Sequence, residues 1–113
     1  MTLNDVRELL SAELLSEDAD LGSEIKSVIA SDLMSDVLAL NRPGELLLTG
    51  LANNQTIRTC EIAGISAVVF VRGKRPPAQT IALARECSIP VLSTGLSMFE
   101  ACGILYSNGV KTV

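Results

Sequence analysis

Short apolar runs alternate with longer helical patterns along most of the chain. From Lys26 onward, each run holds four or five residues and is followed by a segment with helical spacing of its apolar positions. The runs are almost continuously apolar, which predicts strands that are buried on both faces of a sheet. The predicted strands cover residues 27–30, 46–49, 67–71 and 90–93, and the predicted helices cover residues 33–40, 55–63, 77–87 and 96–107.

The first 25 residues predict one helix, one short strand and one loop. Thr2 and Asp5 have the spacing of a capping box and an apolar stripe follows them, so a helix is expected over residues 3–10. Residues 12–15 predict a short strand. The acidic segment 16–24 contains a glycine but lacks the ligand alternation of a calcium loop, so we expect a solvated loop there.

The repeated strand and helix units define the expected fold class. They predict an α/β fold that consists of a single domain over residues 1–113, with a mostly parallel sheet of about five strands and helices on both faces. A chain of 113 residues can bury one core and is too short for two ordinary domains. Gly64 lies where a helix C-cap is expected. Because crossovers between parallel strands are right-handed, every strand-to-helix turn should lie at the same edge of the sheet.

Charge is distributed unevenly along the sequence. The net charge is −4, yet residues 1–45 hold ten acidic and three basic side chains, whereas residues 46–113 hold three acidic and six basic ones. The second part is therefore the better place for an anionic ligand. An acidic chain with few aromatic residues is not expected to bind nucleic acid. No apolar stretch reaches membrane-spanning length and the first residues lack the pattern of a signal peptide, so we expect a soluble, cytoplasmic protein.

The carboxyl ends of the predicted strands carry the polar residues that are best placed to bind a ligand. In open parallel sheets, ligands collect at this edge, where the amino termini of the helices also point. Gly50 allows close approach to the backbone, and Asn53 or Asn54 can cap the next helix. Arg72 or Lys74 can supply positive charge to an anion that the free amides of that turn hold. The candidate ligand-binding residues are Thr49, Gly50, Asn53, Asn54, Arg72, Lys74, Ser93 and Thr94.

A simpler interpretation of these positions stays open. Gly50 and the two asparagines can serve only a tight turn and a helix cap, and residues 72–77 can form a solvated loop whose charges discourage edge pairing. Ser31 or Asp32 is expected to cap the helix that follows the strand at 27–30. Alternatively, Asp32 and Asp36 lie four residues apart and can share a helix face to bind a divalent cation.

Few residues in the chain suit catalysis. There is no histidine and no Gly-x-Ser-x-Gly motif, and Cys60, Cys87 and Cys102 lie in apolar helical patterns where buried, reduced thiols keep a high pKa. A phosphate-binding kinase loop would need glycine in place of Val68 and serine or threonine in place of Arg75. We therefore predict no catalytic residue, no bound metal and no cofactor.

The last predicted helix is apolar nearly all round. Its apolar residues are Leu96, Met98, Phe99, Ala101, Cys102, Ile104, Leu105 and Tyr106. Such a helix needs burial on more than one face, and a domain of this size has few elements with which to cover it. A twofold partner is the simplest cover, so a homodimer is predicted.

Four segments of the sequence resemble the DRTGG domain family in their order along the chain. They are residues 28–38, 47–50, 67–73 and 89–94, and the resemblance extends over nearly the whole chain. The family is also similar to the N-terminal domain of HPr kinase/phosphorylase. Related modules accompany phosphotransacetylases and, beside CBS domains, certain inorganic pyrophosphatases.

The resemblance implies a regulatory or dimerising α/β module that is not itself catalytic. The kinase domain of HPr kinase has no counterpart in this sequence. The family's name motif falls in the turn at residues 50–54, where this chain has neither the Asp nor the Arg of that motif. We therefore transfer from the family only the location of this turn, and we transfer no role for its residues.

Three functions follow as hypotheses. The leading one is a homodimeric regulatory or scaffold module that binds a small anionic ligand such as a nucleotide. The second is a metal-assisted phosphotransferase or hydrolase that uses Asp32, Asp36 and Lys74. The third is an assembly partner of a larger enzyme.

Overall fold

Strands and helices alternate along the chain as the apolar pattern predicts. The computed structural model describes residues 1–17 and 19–110, and within them it contains five helices and five strands. In chain order they are α1 (Leu3–Leu9), β1 (Glu13–Leu14), β2 (Ser27–Ala30), α2 (Met34–Leu40), β3 (Glu45–Thr49), α3 (Asn54–Ala63), β4 (Ala67–Phe70), α4 (Ala78–Glu86), β5 (Val91–Ser93) and α5 (Met98–Ser107). Each predicted element is present, and no boundary moves by more than two residues.

The five strands form one sheet with the order β1-β5-β4-β3-β2. Strands β2 to β5 are parallel to their neighbours, and each crossover moves the chain by one position in the same direction. The short strand β1 pairs with β5 in the antiparallel sense, with Glu13 opposite Ser93. The predicted α/β class with a mostly parallel sheet is therefore confirmed.

Helices cover both faces of the sheet and enclose two apolar cores. Helices α2, α3 and α4 pack on one face, where Phe70 is among the largest fully buried side chains. Helices α1 and α5 pack on the other face around Leu46 and Leu48. Every residue of β3, β4 and β5 is buried, which explains why the sequence of these strands is almost continuously apolar apart from polar residues at the ends of β3 and β5.

The face with two helices leaves one edge strand partly open. Val28 and Ala30 of β2 lie beside α5, in a shallow groove that Phe99, Cys102 and Tyr106 also line. We call these five residues the α5 surface. Within the single chain α5 buries one stripe only, because two of its largest side chains face outward with 87% and 73% exposure.

Two helix starts have the caps that the sequence predicts. The Thr2 hydroxyl accepts a hydrogen bond from the Asp5 N–H at 3.2 Å, and the Asp5 carboxylate accepts one from the Thr2 N–H at 2.9 Å. This capping box starts α1. At α3, the cap is Asn53, whose side-chain oxygen accepts from the Thr56 N–H at 3.1 Å.

One capping box was not predicted. Ser97 and Glu100 satisfy each other's backbone N–H groups at the start of α5, with distances of 3.2 and 3.1 Å. The helix consequently begins at Met98, two residues later than the apolar pattern indicates.

Gly64 ends α3 in the left-handed conformation, with φ of 73°, and this confirms the predicted C-cap. We expect Gly64→Ala to lower the free energy of unfolding by about 1 kcal/mol, because a side chain with a Cβ is strained at this φ. Crowding plays no part, since no heavy atom lies within 4 Å of the added Cβ. Gly64→Asn is the control and should lose less, because asparagine visits this region. Urea denaturation measures both, and an alanine variant as stable as the wild type contradicts the prediction.

An acidic side chain is fully buried at the start of β3. Glu45 has no exposed surface, and its carboxyl accepts hydrogen bonds from the Ser27 hydroxyl at 3.0 Å and from the Arg42 backbone N–H. The carboxyl thus joins β3 to β2 and to the turn before β3. Pairing of this kind is what a buried polar group needs.

The cysteines are free thiols in different environments. Cys60 is buried, and desolvation raises its pKa to about 12. Cys87 and Cys102 are only half-buried, so the prediction of burial is wrong in degree for these two, although desolvation raises the pKa of each. In the part of the chain that the structure describes, no helix has the length and apolar character needed to cross a membrane.

Candidate functional site

The carboxyl ends of β3, β4 and β5 finish level with one another. Thr49 is opposite Phe70, and Phe70 is opposite Ser93. The chain continues this pairing beyond the strands, because the Gly73 N–H donates to the Thr94 carbonyl at 2.8 Å. The structure therefore brings the predicted site residues from three separate segments to one edge of the sheet, which we call the carboxyl rim.

Three of the predicted hydroxyls are buried, and they bind groups of the protein itself. Thr94 donates to the Leu10 carbonyl at 2.7 Å, and Ser93 donates to the Lys74 carbonyl at 2.8 Å. Thr49 donates to the Asp32 carboxylate at 2.9 Å. These three side chains hold the turns of the carboxyl rim together, and they are not open to a ligand.

The two asparagines also have internal partners. Asn53 caps α3, as described above, and the Asn54 side-chain oxygen accepts a hydrogen bond from the Thr80 hydroxyl of α4. Asn54 itself is exposed. The pair fixes the start of α3 against the start of α4, which gives the rim a defined shape.

Asp32 has a role that the sequence did not predict. Helix α2 begins after Leu33 without a side-chain cap, so the expectation that Ser31 or Asp32 caps this helix is wrong. Instead, Asp32 Oδ1 accepts hydrogen bonds from the Gly50 N–H at 2.7 Å and from the Thr49 hydroxyl at 2.9 Å. The Gly50 N–H, which we expected to donate to a ligand anion, thus donates to the carboxylate of Asp32 instead.

The Gly50 N–H holds the pKa of the Asp32 carboxyl below its ordinary value. Burial opposes this effect, while the Thr49 hydroxyl and the positive charge of Arg72 add to it. Asp32 is consequently ionised at neutral pH, because the pKa of an unperturbed aspartate is already about 4.

Gly50 creates room for two charged groups. A Cβ added to Gly50 would lie 3.1 Å from Arg72 Nη2, and 3.6 and 3.7 Å from the two Asp32 carboxylate oxygens. A guanidinium and a carboxylate therefore converge over this glycine, and a larger residue would disturb both. This turn needs glycine because two side chains approach it closely, and not because its φ is positive.

Arg72 reaches Gly50 because its backbone turns sharply after β4. Its φ is 58°, in the left-handed region that residues other than glycine seldom adopt. Two hydrogen bonds hold this turn: the Arg72 N–H donates to the Leu96 carbonyl at 2.7 Å, and the Gly73 N–H donates to Thr94. The loop between β5 and α5 therefore positions the arginine.

The basic segment after β4 contributes two cations to the rim. Arg75 is exposed but pairs with Glu13 of β1 at 2.6 Å. Arg72 and Lys74 are also exposed, and neither forms an ion pair within 4 Å with any residue in the described ranges. These two side chains remain available to an anion.

The arrangement offers little to a bound metal. Among residues 1–17 and 19–110, no three side chains of the His, Cys, Asp and Glu types gather in a group that could hold a metal ion. The Asp32 carboxylate accepts a hydrogen bond from the Gly50 N–H, which follows β3, whereas Asp36 is an exposed residue of α2.

A cleft lies at the opposite edge of the sheet, where α3 and α4 end. Its lining includes Ser66, Arg85, Ser88 and Pro90, and we call it the amino-edge cleft. The eight predicted site residues do not line it.

The fold and the carboxyl rim together describe an α/β module with a mostly parallel sheet and exposed cations at one edge of that sheet. The chain belongs to the DRTGG domain family, whose model matches residues 5–107. The resemblance seen in the sequence is thereby confirmed. No curated protein matches the chain.

Among solved structures, the chain is similar to the regulatory region of Clostridium perfringens pyrophosphatase. That structure contains CBS and DRTGG domains and is complexed with an activator, diadenosine tetraphosphate. The TM-score is 0.69 at 16% sequence identity, and the match covers 92% of this chain and 45% of that one. At this sequence identity, the similarity establishes the fold alone. This chain spans less than half the length of the pyrophosphatase regulatory region.

Proposed function

We propose that this protein is a non-catalytic regulatory module that binds a small anionic ligand, best represented by a nucleotide, at its carboxyl rim. The observation that carries the proposal is the pair of exposed cations, Arg72 and Lys74, that the segment after β4 places at the carboxyl rim beside the Gly50 turn. The module also acts as a homodimer and transmits its ligand state to an enzyme partner. A single DRTGG-like domain would then account for residues 1–113.

The chemistry of the rim supports an anion. Two cations on one short segment, without an ion pair to any residue in the described ranges, favour a group that carries several negative charges, as a polyphosphate does. The first backbone N–H groups of α3, which begin at Asn54, add donors on the same side. The family supports a regulatory role, and the structural neighbour is a regulatory region complexed with a nucleotide activator.

The rim is better suited to binding than to catalysis. The hydroxyls that could serve as nucleophiles are buried in hydrogen bonds with the protein, and Asp32 is held by Gly50 and Thr49. A candidate general base needs to lie within reach of a reacting proton, and its pKa should lie near the operating pH. The pKa of Asp32 is lowered instead.

The proposed homodimer forms through the α5 surface. Phe99 and Tyr106 are the two exposed large apolar side chains of α5, and they flank Cys102 beside the edge strand β2. Contiguous exposed apolar side chains of this kind mark interaction sites. A second copy supplies the same surface in return, so a twofold axis through α5 satisfies both chains.

Regulation requires an enzyme whose activity responds to the module. The pyrophosphatase neighbour supports such a partner, because its regulatory region contains the same kind of domain. A cytoplasmic location supplies nucleotides to the rim and keeps the three free thiols reduced. Affinity purification followed by identification of the bound enzyme separates this role from that of a free-standing sensor.

Calorimetric titration with ATP and with diadenosine tetraphosphate tests ligand binding. We expect Arg72→Ala and Lys74→Ala each to weaken binding about tenfold, because each removes a hydrogen bond to a charged group. Arg85→Ala is the matched control, since Arg85 is an exposed arginine in the amino-edge cleft, and it should bind as the wild type does. Absence of heat at millimolar nucleotide, or an equal loss in the control, contradicts the proposal.

A further inference from the structure

We propose that Asp32 makes the carboxyl rim specific for ribonucleotides by accepting hydrogen bonds from the ribose hydroxyls. The inference rests on the proposed function and names the ligand class more narrowly. Asp32 lies beside the cations of the carboxyl rim, and the sequence analysis expected Asp32 or Ser31 to cap a helix.

The two oxygens of Asp32 are in different situations. Oδ1 accepts hydrogen bonds from Thr49 and Gly50, which fixes the orientation of the whole carboxylate. Oδ2 accepts no hydrogen bond from any residue that the structure describes, and the side chain is exposed. The protein therefore presents a rigid, ionised acceptor to solvent at the rim.

This acceptor excludes a phosphate from its own position. Two negative groups at about 4 Å repel each other by about 1 kcal/mol even in water, and more strongly near the protein surface. A polyphosphate consequently lies toward Lys74 and the outer side of Arg72. The part of the ligand that reaches Asp32 has to be neutral and has to donate hydrogen bonds.

The ribose of a nucleotide meets this requirement. Its 2′ and 3′ hydroxyls are adjacent donors, and carboxylates at the strand ends of nucleotide-binding α/β folds accept hydrogen bonds from ribose hydroxyls. Asp32 and Arg72 converge over Gly50, because a Cβ added there would lie within 4 Å of both side chains, so the carboxylate and the guanidinium are within reach of one ligand. One nucleotide can thus span the carboxylate with its sugar and the two cations with its phosphates.

The first test compares ATP with 2′-deoxy-ATP on the wild-type protein by calorimetry. We expect the deoxynucleotide to bind about tenfold more weakly, because a hydrogen bond to a charged acceptor is lost. Equal affinities overturn the assignment of Asp32 and leave the proposed function intact. Failure of both nucleotides to bind overturns the two together.

The second test uses Asp32→Asn, which retains an oxygen for Gly50 and Thr49 but replaces Oδ2 with a donor. The preference for ATP over 2′-deoxy-ATP should fall to about one, because the acceptor for the 2′ hydroxyl is gone. Asp36→Asn is the control: it removes an exposed carboxylate four residues away and should keep the preference. A preference that survives in Asp32→Asn overturns the inference, and the melting temperature of each variant shows that the comparison is made on folded protein.

Discussion

If the protein forms the proposed homodimer, replacing Phe99 with glutamate is expected to convert it into monomers. Phe99 is 87% exposed in the single chain and is the most exposed apolar side chain of the α5 surface. In the dimer a glutamate at this position would be buried without a partner, and an unpaired buried charge costs about 4 kcal/mol. The dissociation constant should therefore rise at least about a thousandfold, because the dimer of the variant buries two such charges. Sedimentation velocity at micromolar concentration measures the change.

Ile62→Glu provides the matched control for this result. Ile62 is also a large, exposed apolar residue, at 76%, but it belongs to α3 on the opposite face of the sheet. This variant should remain dimeric. Wild-type protein that sediments as a monomer contradicts the homodimer, and dissociation caused equally by both variants contradicts the choice of surface.

Glu45→Ala is expected to lower the free energy of unfolding by about 3 kcal/mol. The substitution leaves the Ser27 hydroxyl and the Arg42 N–H without their acceptor and opens a cavity under the start of β3. Denaturation in urea, followed by circular dichroism, measures the loss.

Glu45→Gln separates hydrogen bonding from packing at the same position. It fills the same volume and keeps one acceptor oxygen, so we expect a loss of about 1 kcal/mol. Equal losses in the alanine and glutamine variants would show that the second acceptor oxygen, rather than the volume of the side chain, stabilises this site. A fully stable Glu45→Ala variant contradicts the structural role that we assign to the carboxyl.

The main features of the fold were predictable because burial on both faces of a sheet leaves a direct record in the sequence. Residues such as Leu47 and Val69 need to be apolar wherever they point, so the middle of β3 and the whole of β4 appear as unbroken apolar runs. The caps at Asn53 and Gly64 are equally local, since each depends on the conformation of one residue. Local rules of this kind can be applied without knowledge of the fold.

The features that were missed depend on partners far away in the sequence. Glu45 reads as the polar boundary of a strand, and its buried position becomes visible only when Ser27 of the neighbouring strand is placed beside it. The sequence predicted that Asp32 caps α2, because the start of α2 is the nearest helix terminus along the chain. In the fold, the Asp32 carboxylate instead accepts a hydrogen bond from the Gly50 amide at the end of the adjacent strand, and α2 begins without a side-chain cap.

The sequence was sufficient to predict that the candidate residues gather at one edge of the sheet, but not which groups they bind within the protein. Parallel topology was sufficient to place Thr49, Lys74 and Ser93 at one edge. It could not indicate that the hydroxyls there already have partners within the protein, such as the Leu10 carbonyl that Thr94 binds. The side chains that remain open, Arg72 and Lys74, were among the predicted set, and their role in binding remains a prediction.

A nuclear magnetic resonance titration of the ¹⁵N-labelled protein with ATP tests the central claim most directly. The account predicts that amide shifts concentrate at Gly50, Arg72, Gly73 and Lys74, where the ligand would lie against the carboxyl rim. Shifts confined to Ser66 and Ser88 of the amino-edge cleft, or no shifts at millimolar ATP, would contradict it.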